Sequence, residues 1–542
     1  MSRQQKETTM TAGSLAIRDL EVIVAESGEA ILKGVSLELQ AGKIFALVGE
    51  SGSGKSVTSL ASMRLLPEAL RITAGQVFLG QEDLFNLPEA RMQEVRGRRV
   101  AMIFQNAMSA LNPVQTVGQQ VAETLKLHTA LRGQALRQRV VDLFAEVGIP
   151  QPEQRFGFFP HQLSGGQQQR VMIALALACE PEVLIADEPT TALDVTIQDQ
   201  VLRLIRELTH SRQLAVLLIT HDMGVVRQTA DEVGVMFRGE LIERAAVDDF
   251  FHAPKEAYSR ALIDALPDLA HFREPTSEAP LLVLDDVKVH FPVRKGLLQR
   301  VVDYTRAVDG VSLEIRRGET FALVGESGSG KSTLGRAILN LEAIAGGSIH
   351  FRGEPLHKLD RQGMLPWRRE IQVIFQNPFS SMNPRMSVGE IIAEGMLSLG
   401  VEADTDRRDA RIRELLQRVR LEPSHASRYP HEFSGGQLQR VAIARALAVN
   451  PQLIICDEPT SALDVSIRAE VLELLAELQR EFGVSYLFIT HDLSIVPSLA
   501  HRVGVMQWGK LVEQGTAEQI LTTPQHPYTQ ALLASVPTLD AT

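Results

Sequence analysis

Twelve residues, FALVGESGSGKS, occupy positions 45–56 and recur unchanged at 321–332. Three further stretches return at a fixed interval. HQLSGGQQQRV (161–171) matches HEFSGGQLQRV (431–441), IADEPTTALDV (185–195) matches ICDEPTSALDV (455–465), and ITHD (219–222) matches ITHD (489–492), each 270 residues apart. The loops themselves are 276 apart, so between these landmarks the change of length falls after the loop and before HQLSGGQQQRV. Landmarks kept in order over so long an interval describe a duplicated domain. A period far above the roughly 20–50 residues of solenoid units makes each copy self-contained. The 542 residues are therefore expected to divide into a domain at about 14–250, an extension and linker at 251–280, a second domain at about 281–520 and an extension at 521–542. HAPKEAYSRALIDALPDL (252–269) and TPQHPYTQALLASVPTL (523–539) are related tails, and the polar HFREPTSEAP (271–280), with two prolines, reads as a linker.

Within each copy, apolar runs end where polar motifs begin. KIFALV (43–48) and TFALV (320–324) feed the Gly-rich loop, EVLIADE and QLIICDE end in carboxylates, and LAVLLITHD and VSYLFITHD end in His-Asp. These read as buried strands. Between them VGQQVAETLKLH (117–128) and ALRQRVVDLFAEVGI (135–149) carry apolar residues at helical spacing. Alternating strands and helices, with polar residues at strand C-termini, predict an α/β fold with a mostly parallel sheet core and a helical subdomain in each copy.

Composition removes several function classes. The net charge of −11, with no block of consecutive Lys or Arg, offers nothing to a nucleic-acid backbone. Cys179 and Cys456 are the only cysteines, each in an apolar run, which suits a reducing compartment and speaks against disulfides, zinc or an iron–sulfur cluster. The N-terminal MSRQQKETTMTAGS has no apolar segment of the signal-peptide kind, and the longest apolar run, Val171–Cys179, is nine residues against the roughly 20 of a spanning helix. A soluble, cytosolic chain is expected, with any membrane role exercised through a partner.

The repeated loop fits GxxxxGK[ST] between a strand and a helix. Its glycines (Gly49, Gly52, Gly54; Gly325, Gly328, Gly330) let backbone N–H groups, with Ser51 and Ser327, wrap a phosphate ahead of a helix N-terminus. Lys55 and Lys331 can reach the β/γ-phosphates of a nucleotide, and the Ser56 and Ser332 hydroxyls can ligate Mg²⁺. Adjacent carboxylates closing an apolar strand are costly unless a cation or water satisfies them. Asp187 and Asp457 are thus assigned to the Mg²⁺ shell, and Glu188 and Glu458 to the general base that polarises water. His221 and His491 follow those glutamates by 33 residues and can contact the γ-phosphate or hold the water. Gln105 and Gln376 close VAMIFQ and IQVIFQ and can reach Mg²⁺ or that water. The remaining motif, Ser164-Gly165-Gly166-Gln167 and its copy Ser434-Gly435-Gly436-Gln437, opens another helix with bare N–H groups. One nucleotide cannot easily use both helix starts of one domain, which points to a second domain facing it.

The ordered set GESGSGKS, FQ, LSGGQ, IADEP, ALD and THD resembles the nucleotide-binding domains of ABC transporters over nearly the whole chain. The resemblance implies two ABC-type P-loop NTPase domains meeting head to tail, each ATP lying between one phosphate loop and the other domain's SGGQ. It implies the pairings Lys55 with Ser434 and Lys331 with Ser164, places Asp194 and Asp464 at the seam, and makes both copies hydrolytic.

FQNAMSALNPVQTV (104–117) and FQNPFSSMNPRMSV (375–388), the PYTQALL tail and the insert FPVRKGLLQR (291–300) resemble the peptide/nickel importer subfamily, above all its fused Yej-type branch serving peptides and microcin C. That likeness implies two integral-membrane permease subunits, a periplasmic binding protein, no nucleic-acid partner and a peripheral place on the cytoplasmic face of a bacterial inner membrane. Three departures stand out. Neither tail has the cysteines that hold an iron–sulfur cluster in many members, so no cluster is expected. Phe433 replaces the usual Leu before SGGQ. Aligning DLEVIV (19–24) with DVKVHF (286–291) sets Val24 against Phe291, an aromatic able to stack on adenine, with Tyr304 a second candidate. Fused ATPases of glutathione, nickel or sugar importers stay open as alternatives. A soluble tandem ATPase acting on ribosomes fits less well, because the linker is short.

Overall fold

The computed structural model describes residues 14–105, 110–190, 195–264, 272–274, 276, 278–295, 300–461, 463 and 465–534, and the chain divides after Asp264 into two units. The first carries strands β1 (Leu15–Val24), β2 (Ala30–Leu39), β3 (Ile44–Val48), β4 (Leu70–Leu79), β5 (Glu82–Asp83), β6 (Val100–Ile103), β7 (Val183–Asp187), β8 (Ala215–Ile219), β9 (Glu232–Phe237) and β10 (Glu240–Ala246). Six of them form a sheet in the order β10-β9-β3-β8-β7-β6. All run parallel except β10, which returns antiparallel beside β9. β3, β7 and β8 are buried at every position, as a strand covered on both faces must be, and this explains their unbroken apolar runs.

The second unit repeats the plan with β11 (Pro280–Lys295), β12 (Arg300–Arg316), β13 (Thr320–Val324), β14 (Gly346–Phe351), β15 (Glu354–Pro355), β16 (Ile371–Ile374), β17 (Leu453–Asp457), β18 (Ser485–Thr490), β19 (Arg502–Gln507) and β20 (Lys510–Thr516). Its main sheet is ordered β16-β17-β18-β13-β19-β20. Each unit also has a four-stranded antiparallel sheet, β2-β1-β4-β5 and β12-β11-β14-β15, which the sequence reading does not anticipate. Its signal lay in the alternation of ILKGVSLEL, where Leu32, Val35, Leu37 and Leu39 face the core and residues between them face out.

The helical region is built as the spacing predicts. Val117–His128 forms the first expected helix, opened by a Thr116–Gln119 capping box. The second runs Gly133–Glu146 and stops short of the expected 149, because Gly148 turns left-handed (φ 74°) and Ile149 N–H bonds back to Phe144 O at 2.8 Å. Val121, Leu125, Val140, Leu143 and Phe144 share one core with Val171 and Leu177 of the helix Gly165–Leu177. Among the described residues no helix is long and apolar enough to cross a membrane.

The two units anchor the start of their central strand with different side chains. The N–H that opens β3, on Ile44, donates to Asp231 Oδ2 at 2.8 Å, whereas the N–H that opens β13, on Thr320, donates to His501 Nδ1 at 3.0 Å. Burial, reinforced by the Arg273 guanidinium, lowers the His501 ring to about 4. A histidine neutral in the fold but titrating near about 6.5 when unfolded adds stability that is complete above that value and is lost as pH falls toward 4. Since the ring is partly exposed, the loss between pH 7 and pH 5 is expected to be about 1–2 kcal/mol. Urea unfolding at the two pH values should show it, and His501→Asn, which keeps an acceptor without the titration, should flatten the slope. An unchanged slope would remove His501 as its source.

Candidate functional site

Parallel strands adjacent in space end at one edge of the sheet, and this brings together residues far apart in sequence. In the first unit the Gly-rich loop follows β3, His221 follows β8, Asp187 and Glu188 close β7, and Gln105 lies two residues past β6. The second unit sets Gln376, Asp457, Glu458, His491 and the loop after β13 along the matching edge.

The loop runs from Gly49 to the helix Lys55–Ser62, and its glycines are not equivalent. Gly49 has φ 145°, and a Cβ there would sit 2.2 Å from Met236 O; a Cβ on Gly54 would sit 2.5 Å from Leu32 Cδ2. Gly325 and Gly330 are as tightly bounded, by Met506 O at 2.2 Å and Ala307 O at 2.1 Å. Gly52 and Gly328 also have positive φ but nothing within 4 Å of a Cβ, and Ser51 and Ser327 beside them are exposed. The loop is thus closed against the sheet and open on its outer side. Lys55 is 6% exposed, with Nζ 2.7 Å from Gly49 O and 2.8 Å from Glu50 O; Lys331 holds Gly325 O and Glu326 O at the same distances. A buried ammonium resting on neutral carbonyls is ready to exchange them for an anion.

Ser56 Oγ donates to Asp187 Oδ1 at 3.1 Å, and Ser332 Oγ to Asp457 Oδ1 at 2.8 Å. Burial raises both aspartates above the usual carboxylate range, and the serine hydroxyls only partly offset it. A buried carboxylate beside a hydroxyl is a hard-oxygen donor set suited to Mg²⁺.

Glu188 and Glu458 stand in left-handed backbone, φ 46° and 48°, held by N–H bonds to Ile219 O and Ile489 O at 2.9 Å. Non-glycine residues persist in that region only where the surroundings enforce it, and such positions cluster at functional sites. Each carboxylate is engaged at both oxygens. Gln105 Nε2 donates to Glu188 Oε2 at 2.7 Å while His221 Nδ1 lies 3.1 Å from Oε1. Gln376 and His491 treat Glu458 alike, at 2.9 and 3.1 Å. Burial would raise Glu458, but the hydrogen bond and charge of His491 hold it below the ordinary range; His491, which burial would lower, is raised by that same carboxylate. Glu458 is therefore unprotonated at neutral pH, as a base must be.

At the SGGQ motif, Ser164 caps the helix Gly165–Leu177 through a capping box with Gln167, and Ser434 caps Gly435–Leu447 with Gln437. A Cβ on Gly166 would meet Ile197 Cγ2 at 2.7 Å and one on Gly436 would meet Ile467 Cγ2 at 2.5 Å, whereas Gly165 and Gly435 face open space. The first glycine of each pair is the one open to a ligand. Phe291 lies on β11 opposite Thr305, and Tyr304 on β12 opposite Pro292; both are exposed, at 38% and 54%. Asp194, Asp464 and residues 106–109 and 296–299 lie outside the described residues.

Two tyrosines escaped the sequence reading. Tyr258, in the tail helix Ala257–Asp264, accepts the Glu50 N–H on its hydroxyl at 3.1 Å, and Tyr528, in Pro527–Ala534, accepts that of Glu326 at 3.2 Å. Their signal was the repeated AYSRAL and PYTQAL, read as related tails and, in PYTQALL, as a mark of the importer subfamily, with no role given to the tyrosines.

The family profile described as ABC transporter matches residues 32–191 and 308–461. The chain belongs to the ABC transporter family. As an ABC ATP-binding protein it binds nucleotide and is an ATPase. A second profile, the oligopeptide/dipeptide transporter C-terminal region, matches residues 242–282 and 512–542, the stretches that contain both tyrosines. This ABC ATPase is 47% identical over 539 residues to the peptidoglycan transport ATP-binding protein YejF of Agrobacterium fabrum, covering 99% of this chain and 98% of that one. It is 46% identical over 563 residues to the glutathione import ATP-binding protein GsiA of Escherichia coli, covering 97% and 90%. A solved ABC transporter component of Clostridium perfringens, part of a cbiONQ complex, aligns at 30% identity over 45% of this chain and 92% of its own, with a TM-score of 0.40.

Proposed function

We propose that this ABC ATPase powers a bacterial importer of peptides or peptide-like compounds. The observation that carries the reading is the oligopeptide/dipeptide C-terminal region following each ABC domain. Its end-to-end relatives are named for peptidoglycan transport and glutathione import, both cargoes containing peptide bonds. Two integral-membrane permease subunits and a periplasmic binding protein complete the importer, with this chain peripheral on the cytoplasmic face of the inner membrane.

In the first unit the nucleotide's phosphates enter the open side of the loop, and Lys55 leaves the Gly49 and Glu50 carbonyls for the β/γ-phosphates. Ser56, Asp187 and the side-chain oxygen of Gln105 would hold Mg²⁺, which when bound would neutralise phosphate charge. Glu188 takes the proton of the attacking water while His221 and Gln105 fix its orientation. Lys331, Ser332, Asp457, Gln376, Glu458 and His491 do the same in the second unit. The Ser164-Gly165 and Ser434-Gly435 helix starts supply further N–H groups to nucleotide, with Phe291 as an adenine platform for the Lys331 site.

The test is import into membrane vesicles holding the chain, both permeases and the binding protein. Labelled oligopeptide should accumulate only with ATP and should stimulate hydrolysis. Co-sedimentation of the chain with ribosomes and not with permeases would overturn the reading.

A further inference from the structure

The two tails end in the same contact. In the first unit, Glu243 on β10 accepts the N–H groups of Lys255 and Glu256 at 2.8 and 3.1 Å, clamping the chain where the helix Ala257–Asp264 begins. One turn of that helix then puts the Tyr258 hydroxyl on the Glu50 N–H. In the second, Glu513 on β20 accepts the N–H groups of Gln525 and His526 at 2.7 and 3.1 Å, and Tyr528 reaches the Glu326 N–H.

The geometry of one peptide unit gives this contact its meaning. Gly49 C=O and Glu50 N–H belong to the same rigid amide plane. Its oxygen accepts Lys55 Nζ at 2.7 Å, and its N–H donates to Tyr258 at 3.1 Å. Tyrosine and lysine therefore grip opposite edges of the plane that opens the phosphate loop. Gly49 lacks a Cβ to restrict that plane, and the tyrosine adds an anchor from outside the loop to the one the lysine supplies from within it. The Gly325–Glu326 plane is gripped identically by Lys331 and Tyr528.

We infer that Tyr258 and Tyr528 are positioning residues for nucleotide binding, through which each C-terminal extension presets its own unit's phosphate loop. The extension touches the loop and not the reacting water, so it acts on ground state and transition state alike. Such an interaction appears in KM and not in kcat. The inference rests on the loop's role in binding nucleotide and not on the cargo, so a failed import assay would leave it standing.

Tyr→Phe deletes the hydroxyl and keeps the ring, which in Tyr258 packs 4.4 Å from the Phe237 ring. The full chain carrying Tyr258→Phe and Tyr528→Phe should show KM for ATP raised about three- to tenfold, the range of one lost hydrogen bond. Its kcat should stay within about twofold, and its unfolding midpoint should not move. Binding of a fluorescent ATP analogue to Tyr258→Phe with Lys331→Ala, and to Tyr528→Phe with Lys55→Ala, reads each loop separately and should weaken by the same factor relative to the lysine variant alone. Unchanged KM and analogue affinity would overturn the inference. So would an affinity loss that tracks a fall in the unfolding midpoint, since that marks a tail serving only to hold the fold.

Discussion

Glu188→Gln and Glu458→Gln are each expected to lower ATP turnover at the affected site by about 10²–10⁴-fold, the range for a lost general base. That is roughly 3–5 kcal/mol of barrier, while the fold should be unaffected. The substitution is nearly isosteric, and the N–H bonds to Ile219 O and Ile489 O that hold the left-handed backbone do not involve the side chain. The hydrogen-bond bookkeeping at the carboxylate does change. Both oxygens accept now, one from glutamine and one from histidine; a carboxamide offers one acceptor and one donor. With Gln376 still donating to the carboxamide oxygen, the histidine turns an unprotonated Nδ1 toward the new N–H. In the second unit that has a measurable sign, because Glu458 is what raises His491 against the lowering effect of burial. In Glu458→Gln the His491 titration, followed by NMR, should drop from above its ordinary value to that value or below. Nucleotide binding should survive in both variants, since the loop is untouched. Wild-type turnover in a chain carrying both substitutions would remove the glutamates from catalysis.

The sequence exposed the phosphate loops, carboxylates, histidines and glutamines because each is a polar interruption of an apolar strand, repeated in the same order 270–276 residues on. It could not show how they are bound to one another. Gln105 and His221 gripping opposite oxygens of Glu188 follows from the order β3-β8-β7-β6, which no run of letters states. The left-handed φ of Glu188 and Glu458 was equally hidden, since nothing in DEP marks a glutamate as the strained residue. Gln167 and Gln437 were read as ligand groups and are seen closing capping boxes with Ser164 and Ser434, a local role the S-x-x-Q spacing had already spelled. The tail tyrosines lie about 208 and 202 residues from their partners, so only folding reveals the contact.

The glycines give the other large effect, and they separate two roles within one motif. Gly49→Ala and Gly325→Ala should each abolish nucleotide binding in their own unit and destabilise it by roughly 2–4 kcal/mol, from backbone strain and overpacking together. At φ 145° and 149° a side chain is strained wherever it points, and here the added Cβ would stand 2.2 Å from a backbone oxygen, Met236 O or Met506 O. No rotamer relieves a clash made by Cβ, so either β9 or the loop must move, and the Gly49–Glu50 plane gripped by Lys55 and Tyr258 moves with it. Gly52→Ala and Gly328→Ala are the contrasting pair. Their φ values, 80° and 77°, still disfavour alanine, by about 1 kcal/mol, but nothing lies within 4 Å of the new methyl. These variants should fold with a small loss of stability while the methyl intrudes on the open side where phosphate is expected. Chemical unfolding alongside ATP-analogue binding for all four variants distinguishes the roles. A Gly49→Ala chain as stable as wild type would mean that the loop has slack against β9 which these distances deny.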